Sequence, residues 1–391
     1  MDENTPPATA HPLPFSIVYI LIPALMVACV LAFKTPTWMR LLFFAWYTKH
    51  LLQGMSIKLG NSFTDNSNGS TLGGELTKTF YLLFFVDPVH DWYHRTDGKK
   101  RIVSRPWWQR IYWCFCASFS VRGVGWNYQV AGVPSPSRMN RYMFLGRAAL
   151  QVLASFLLLD VSQCIIKTIP FFTDPQPDAS MWSYSYHIQV FYGLLFLSVP
   201  YASLKLYYYL GAFLAILTGY SSQEDWPDFF GNWIEAYSVR NFWGRVWHQM
   251  LRGRCTAIGK TAAKYLGAPP GSASSYSIQL LAAFLVSGIM HSFGDYSARL
   301  KYPGITLPFY MLQPFAIMLE ELFFLGLVYI KVDKKIYSLP TPVKRCFGYL
   351  WTLMWLTYSS SWYIDPVVQA GSGRDEILPI SVILYVQAHF Q

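Results

Sequence analysis

Charge is in short supply in this chain. Of its 391 residues, 13% are Asp, Glu, Lys or Arg, about half the share with which a soluble domain covers itself. That deficit excludes an ordinary water-soluble domain. Cysteine is sparse too: Cys29, Cys114, Cys116, Cys164, Cys255 and Cys346 make no C-x-x-C pair. A disulfide framework is therefore not expected, and free thiols are. Several catalytic signatures are also missing. With no G-x-S-x-G elbow, and no cysteine beside an evident activating base, a covalent acyl-enzyme has no support. With no D-D-x-x-D, nothing is at hand to hold the magnesium and diphosphate of a prenyltransferase. A di-iron lipid oxidase needs several histidine boxes, yet only His90 and His94 in "DPVHDWYH" have helical spacing among the eight histidines. They read as interfacial loop residues, and no metal site is expected. A transporter would show inverted or matching halves, and none is seen. The start, "MDENTPPATAHPLP", lacks the basic region of a signal peptide, and the end, "VQAHFQ", is neither a prenylation nor a retrieval signal.

What the chain does have is apolar length: 53% of it is hydrophobic and 18% aromatic. Residues 14–33, 143–169 and 305–330 approach or exceed the ~20 residues that cross a bilayer. None of them alternates as a barrel strand does. The expected fold is all-α, a polytopic transmembrane bundle of about 8–10 segments. They are drawn from 14–33, 37–53, 76–90, 143–169, 187–220, 276–294, 305–330, 346–363 and 377–390. The stretch 187–220 is ambiguous. It would make ~51 Å of helix, too long for one straight crossing and barely enough for two, and Pro200 and Lys205 near its middle predict a break. The many aromatic rings read mainly as interface belts, with some free to line a flat pocket.

The net charge of +10 points to basic cytosolic loops rather than to nucleic acid. Residues 91–147 and 331–345 are rich in Lys and Arg and are expected in the cytosol. Residues 171–182 carry Asp174 and Asp178 and no base, and read as lumenal. Counting back puts 1–13 and the loop 54–75 in the lumen, where the sequon Asn68-Gly69-Ser70 makes Asn68 a candidate glycosylation site. No repeat is apparent, so 1–391 reads as one integral-membrane domain, with 221–275 as a cytosolic or interfacial motif loop.

That loop holds the densest signal, "EDWPDFFGNWIEAYSVRNFWGRVWHQMLRGR". From Glu235 to Lys264 no further acid occurs, while Arg240, Arg245, Arg252, Arg254, Lys260 and Lys264 follow one another. Were the segment helical, Trp243 and Trp247 would be neighbours at i, i+4, and so would His248 and Arg252. It would lie in the interface with its rings in lipid and its bases toward water. Most of these bases read as a positive-inside anchor. Arg245 and Arg252 are the candidates for holding the phosphates of a nucleotide-like donor such as coenzyme A, because guanidinium suits bidentate phosphate contacts.

The second signal is "AAFLVSGIMHSFGDY", in which His291 ends an apolar run beside Ser287 and Gly288. An ionisable ring in a membrane segment is costly and commonly faces an internal cavity, and small neighbours let another helix or a ligand approach. A neutral imidazole accepts a hydroxyl proton at cytosolic pH. The bland alternative is a ring that merely bonds one helix to another. If His291 is a base, the simplest reaction is direct attack by an alcohol on a thioester, whose leaving thiol has a pKa of roughly 8.5. A donor such as His248 would then polarise the carbonyl or orient the acyl donor.

Together these two motifs resemble the wax-synthase-type branch of the membrane-bound O-acyltransferases. They come nearest to fungal members that acetylate terpenoid or meroterpenoid natural products. "SVRGVGWNYQVAGVP" and Asp87-Pro88 resemble that branch as well. The resemblance implies an acyl-CoA co-substrate, usually acetyl-CoA, with no permanently bound cofactor. It also implies a lipophilic hydroxylated acceptor and a multi-pass place in an endoplasmic-reticulum-type membrane. It puts the catalytic histidine at His291 and the second polar position at His248, where many relatives carry Asn. Ser292 stands where plant wax synthases tend to have Glu, so their acceptor preference is not carried over; long-chain wax-ester synthesis, or a non-enzymatic transporter of lipophilic metabolites, is the alternative reading.

Among the remaining polar residues, Glu320 and Glu321 lie inside an apolar run. They are candidates for a substrate-facing pair with Arg245, His248 or His291, or for a structural ion pair. Trp243 and Trp247 join them as candidate substrate contacts. Asp160, also within an apolar run, has weaker support. Asp295 and Arg299, at i, i+4, read as a surface pair worth little.

Overall fold

The computed structural model describes residues 14–98, 102–329, 340–383 and 385–386. Helices in chain order are α1 (Ile17–Ala32), α2 (Thr37–Met55), α3 (Ser62–Phe84), α4 (Trp107–Phe119), α5 (Arg141–Thr168), α6 (Tyr186–Leu217), α7 (Arg252–Tyr265), α8 (Ala273–Ser297), α9 (Leu307–Tyr329) and α10 (Thr341–Gln369). No strand forms among the described residues; the one isolated bridge there joins His94 and Trp126. Local signals set several starts. The side chains of Asn61, Asn140 and Ser272 accept the N–H of Thr64, Met143 and Ser275 and so cap α3, α5 and α8. Pro36, Pro106 and Pro340, in extended backbone, precede α2, α4 and α10.

The helices α5, α6, α8 and α9 are long and apolar enough to cross a bilayer, and the all-α membrane class stands. Three expectations change in detail. The stretch 54–75 is not a loop, because α3 runs through it and carries Asn68 on helix. Its polar residues look inward to the protein, so hydropathy passed it over. Residues 76–90 are not a span of their own: 76–84 are the end of α3. And 187–220 does not break at Pro200, which sits inside an uninterrupted α6 of 32 residues, ~48 Å of helix. Residues 1–13, the bases Lys99, Lys100 and Arg101, and 331–339 of the second basic loop lie outside the described residues, as does most of 384–390.

The chain divides into two compact units, each assembled from two stretches of sequence. The first holds the described residues up to Gln129 together with Leu251–Leu307, and the second holds Val130–Met250 and the described residues from Pro308 onward. In the first, α8 packs along α3 and α7, and α1 packs on α4. Glycine makes the α3–α8 seam possible. A Cβ at Gly73 would stand 2.6 Å from the Met290 carbonyl oxygen, and one at Gly294 would stand 2.7 Å from that of Asn66, so larger residues would force the helices apart. Asp295 is not a surface partner of Arg299. It is 1% exposed and accepts from the N–H groups of Gly304 and Thr306 and from the Thr306 hydroxyl. The reason is that α8 ends at Ser297 and Arg299 turns to φ 55°, which takes it off the helical face.

In the second unit α5 packs along α6, with Phe144, Ala148, Tyr209, Ala212 and Ile216 buried between them. Asp160 is fully buried, but its partners are the Ser381 hydroxyl and the N–H groups of Val382 and Ile383. Gln163, one turn on, accepts from Ile377 and Leu378 at 2.7 and 3.0 Å. These two side chains strap the segment 377–383 onto α5.

Candidate active-site residues

In the second unit, the motif loop is built from the bottom up by hydrogen bonds that its sequence supplies. Trp226 donates to the Ser221 hydroxyl, the Pro227 carbonyl accepts from the Tyr208 hydroxyl, and Asp228 accepts from Arg147 and Tyr209, both at 2.7 Å. The "WPD" of the motif thus fixes the loop to α5 and α6. The following glycine is obligatory for a close approach. The Gly231 N–H donates to the Val246 carbonyl at 2.8 Å, and a Cβ there would overlap the Arg245 carbonyl. Ser238 then caps the turn Val239–Asn241, which runs on as the π turn Phe242–Val246.

The expected single interfacial helix is not formed. Trp247 has extended backbone (ψ 154°), and α7 starts only at Arg252. His248 and Arg252 therefore do not share a helical face. The break is held by Gln249, whose amide donates to the Trp243 and Trp247 carbonyls that the helix end leaves open. The tryptophans turn into protein rather than toward lipid. Trp247 packs on Phe230 and Phe242, with ring centroids 5.1 and 5.8 Å away, and Trp243 lies 6.3 Å from Trp247. His248 is half-buried, and its ring faces Trp247, Phe229 and Phe230 at 5.5 to 6.2 Å.

Two buried polar groups on α9, seven residues apart, set the loop's position. Gln313 is fully buried. Its oxygen accepts from the indoles of Trp243 and Trp355 at 3.1 and 3.2 Å, and its amide donates to the Phe309 carbonyl and the Ser359 hydroxyl. Glu320 accepts from the N–H of Val239 at 2.6 Å, from that of Arg240 at 3.2 Å and from the Trp351 indole at 2.8 Å. Its charge lies at the positive end of the short turn. Glu321 pairs with Arg240, while Arg245, mostly exposed, pairs with Glu235 at 3.3 Å. Arg345 reaches the same Glu235 at 3.8 Å. Gln313 was not visible from the sequence, because a neutral amide in an apolar run carries no charge signature.

In the first unit, His291 sits on α8 with its Nδ1 enclosed by protein, as is that of His248 in the second. Helical spacing puts Ser287, Gly288 and Asp295 on the His291 side of α8. The next face, Met290, Phe293, Gly294 and Ser297, meets α3. Arg252 opens α7 and is half-buried, and Arg254, passed over as a candidate, is buried. The described residues of 87–98 and 102–129 pack against α1, α2 and α3 in one buried cluster. Asp87 caps their first turn, Trp92 stacks on Tyr128 at 3.8 Å, and Asn127 bonds the backbone of Asp91 and Tyr93. His90 and His94 turn to different partners, Lys34 for the first and Thr96 for the second. No group of three or more His, Cys, Asp or Glu able to hold a metal occurs among the described residues.

Residues 226–312 match the membrane bound O-acyl transferase family. The matched stretch runs from the Trp226 anchor past His291. The chain is similar to the acetyltransferase eriL of Hericium erinaceus, 29% identical over 70% of this chain and 71% of the relative. It is similar to the acetyltransferase ple2 of Rhodocybe pseudopiperita, 29% identical over 79% of each. It is also similar to the O-Mevalon transferase yanI of Aspergillus niger, 25% identical over 81% of this chain and 77% of the relative. No solved structure matches. The family match over 226–312 and the relatives, with the all-α membrane fold, support an O-acyltransferase enzyme similar to the fungal branch of that family.

Proposed function

We propose that this enzyme moves an acyl group, acetyl in the first instance, from acyl-CoA to a hydroxyl of a lipophilic terpenoid-type secondary metabolite. Its place would be the endoplasmic-reticulum membrane. The observation that carries the reading is His291, an ionisable ring on the apolar helix α8 inside the family-matched stretch. In the proposed step, the imidazole takes the acceptor's hydroxyl proton as the oxygen bonds to the thioester carbonyl carbon. The tetrahedral intermediate then expels the thiolate, the C–S bond breaks, and the imidazolium returns its proton to sulfur. Ester and free CoA leave with atoms and charge balanced. His248 is proposed to donate to the acyl donor within its aromatic surround. Trp243, Trp247, Arg245 and Arg252 are proposed as substrate contacts, with Glu320 and Glu321 shaping the loop that presents them.

The relatives named acetyltransferase support acetyl as the group moved. The relatives named O-Mevalon transferase favour a second reading, in which a mevalon group takes its place. Microsomes containing the wild type or His291→Ala, fed labelled acetyl-CoA and a panel of hydroxylated terpenoids, test the proposal. Loss of a general base lowers turnover by roughly 10²- to 10⁴-fold. The reading is abandoned if no acyl group transfers at all, or if well-expressed His291→Ala keeps full activity.

A further inference from the structure

Arg254 is an anomaly in the first unit. It lies on α7 and is 8% exposed, and a guanidinium brings five N–H donors. Its one side-chain bond among the described residues is from Nη2 to the Met290 thioether at 3.8 Å, a weak acceptor. The nearby carboxylate is already engaged: both oxygens of Glu75 lie 2.7 Å from the ammonium of Lys78, itself buried. The cluster of Glu75, Lys78 and Arg254 therefore holds one cation in excess. Burial lowers the Arg254 pKa from its ordinary value, but a guanidinium does not shed its proton in a protein. An uncompensated buried charge is costly unless an anion joins it.

The surroundings hold the guanidinium in place. It runs along the bare backbone of α3, where a Cβ on Gly74 would stand 3.6 Å from Nη2 and 3.4 Å from the Met290 sulfur. Met290 directly precedes His291. The uncompensated cation thus touches the neighbour of the proposed base.

We propose that Arg254 anchors an anion subsite that takes a phosphate oxygen of the acyl donor. This rests on the acyl-CoA reading above, under which the donor is the anionic substrate and the acceptor is lipophilic. A planar fork of donors suits phosphate, and an incoming phosphate supplies the countercharge that Glu75 gives to Lys78. A lipid headgroup carries the same chemistry, so the test must separate the two.

Wild type, Arg254→Met and Arg254→Lys, as full chains in maltoside detergent without phospholipid, would be assayed with acetyl-CoA and with S-acetylpantetheine, a thioester without phosphate. Arg254→Met is expected to raise KM for acetyl-CoA by roughly tenfold to a hundredfold, the worth of a charge-assisted bond. Its KM for S-acetylpantetheine should equal the wild-type value, and Arg254→Lys should recover part of the loss. Equal losses on both donors, as a structural role would give, overturn the proposal, as does no loss on acetyl-CoA. A loss on both donors that appears only when phosphatidylcholine is added back assigns the phosphate to lipid and overturns it too. Should Arg254→Met fail to fold, Arg254→Lys must still raise KM more for acetyl-CoA than for S-acetylpantetheine, and equal shifts refute the idea. Wild type that turns over neither donor refutes the acyl-transfer reading instead. The subsite is then judged by whether CoA, and not pantetheine, raises the wild-type Tm.

Discussion

Replacing Gln313 by leucine should loosen the motif loop by a calculable amount. The side chain is fully buried and makes four hydrogen bonds. Leucine is of similar volume but leaves the indole N–H groups of Trp243 and Trp355 without this acceptor. Losing an acceptor costs a buried donor about 1–3 kcal/mol, and for these two half-buried indoles that sets an upper bound of about 2–6 kcal/mol. The Ser359 hydroxyl loses only an incoming donor, keeps its own donation to the Leu356 carbonyl at 3.4 Å, and adds little. A double-mutant cycle isolates the effect. Trp355→Phe removes one stranded donor, so Gln313→Leu should cost about 1–3 kcal/mol less in that background than in the wild type. Equilibrium unfolding in mixed detergent micelles, followed by tryptophan fluorescence, measures all four proteins. If Gln313→Leu lies within about 0.5 kcal/mol of wild type, or if the two substitutions add, the shared oxygen does not hold the loop.

Two further outcomes follow from single residues. Gly231→Ala drives a Cβ into the Arg245 carbonyl and should cost about 1–3 kcal/mol with a loss of acyl transfer. Gly244→Ala, where a Cβ meets nothing within 4 Å, should change neither; Tm and turnover of the two variants decide it. Burial pushes the Cys255 thiol to about 11 and that of Cys114 to about 12, whereas Cys346 is exposed. At pH 8 the buried thiols are about one part in a thousand ionised or less, so a maleimide should label Cys346 first. Mass mapping that finds Cys255 labelled as fast would refute the packing around α7.

How much was legible varies from element to element. The apolar runs named α1, α2, α5, α8 and α9 within a few residues, because a lipid-facing side chain declares itself by composition alone. The helix α3 escaped, since its Asn66, Ser70, Gly73 and Lys78 face protein rather than lipid. Pro200 read as a break, yet α6 absorbs it. The pairing of Asp295 with Arg299 assumed a helix that stops two residues before the arginine. His291 stood out because an ionisable ring in an apolar run is rare, and its role as the base is a proposal. Gln313 did not stand out, because its importance lies wholly in which two indoles reach it.

The sequence alone determined that this chain is a bundle of membrane helices, and it singled out the short stretches proposed to carry its chemistry. Both follow from local facts: twenty apolar residues must hydrogen-bond within themselves in a bilayer, and a motif's residues are neighbours along the chain. Only the tertiary structure decided who meets whom. It gave Glu320 to the backbone at Val239 and Asp160 to Ser381 and the two residues after it. A buried charge takes whatever partner folding brings within about 3 Å. That choice is made between residues dozens to hundreds of positions apart, and no local reading of the chain contains it.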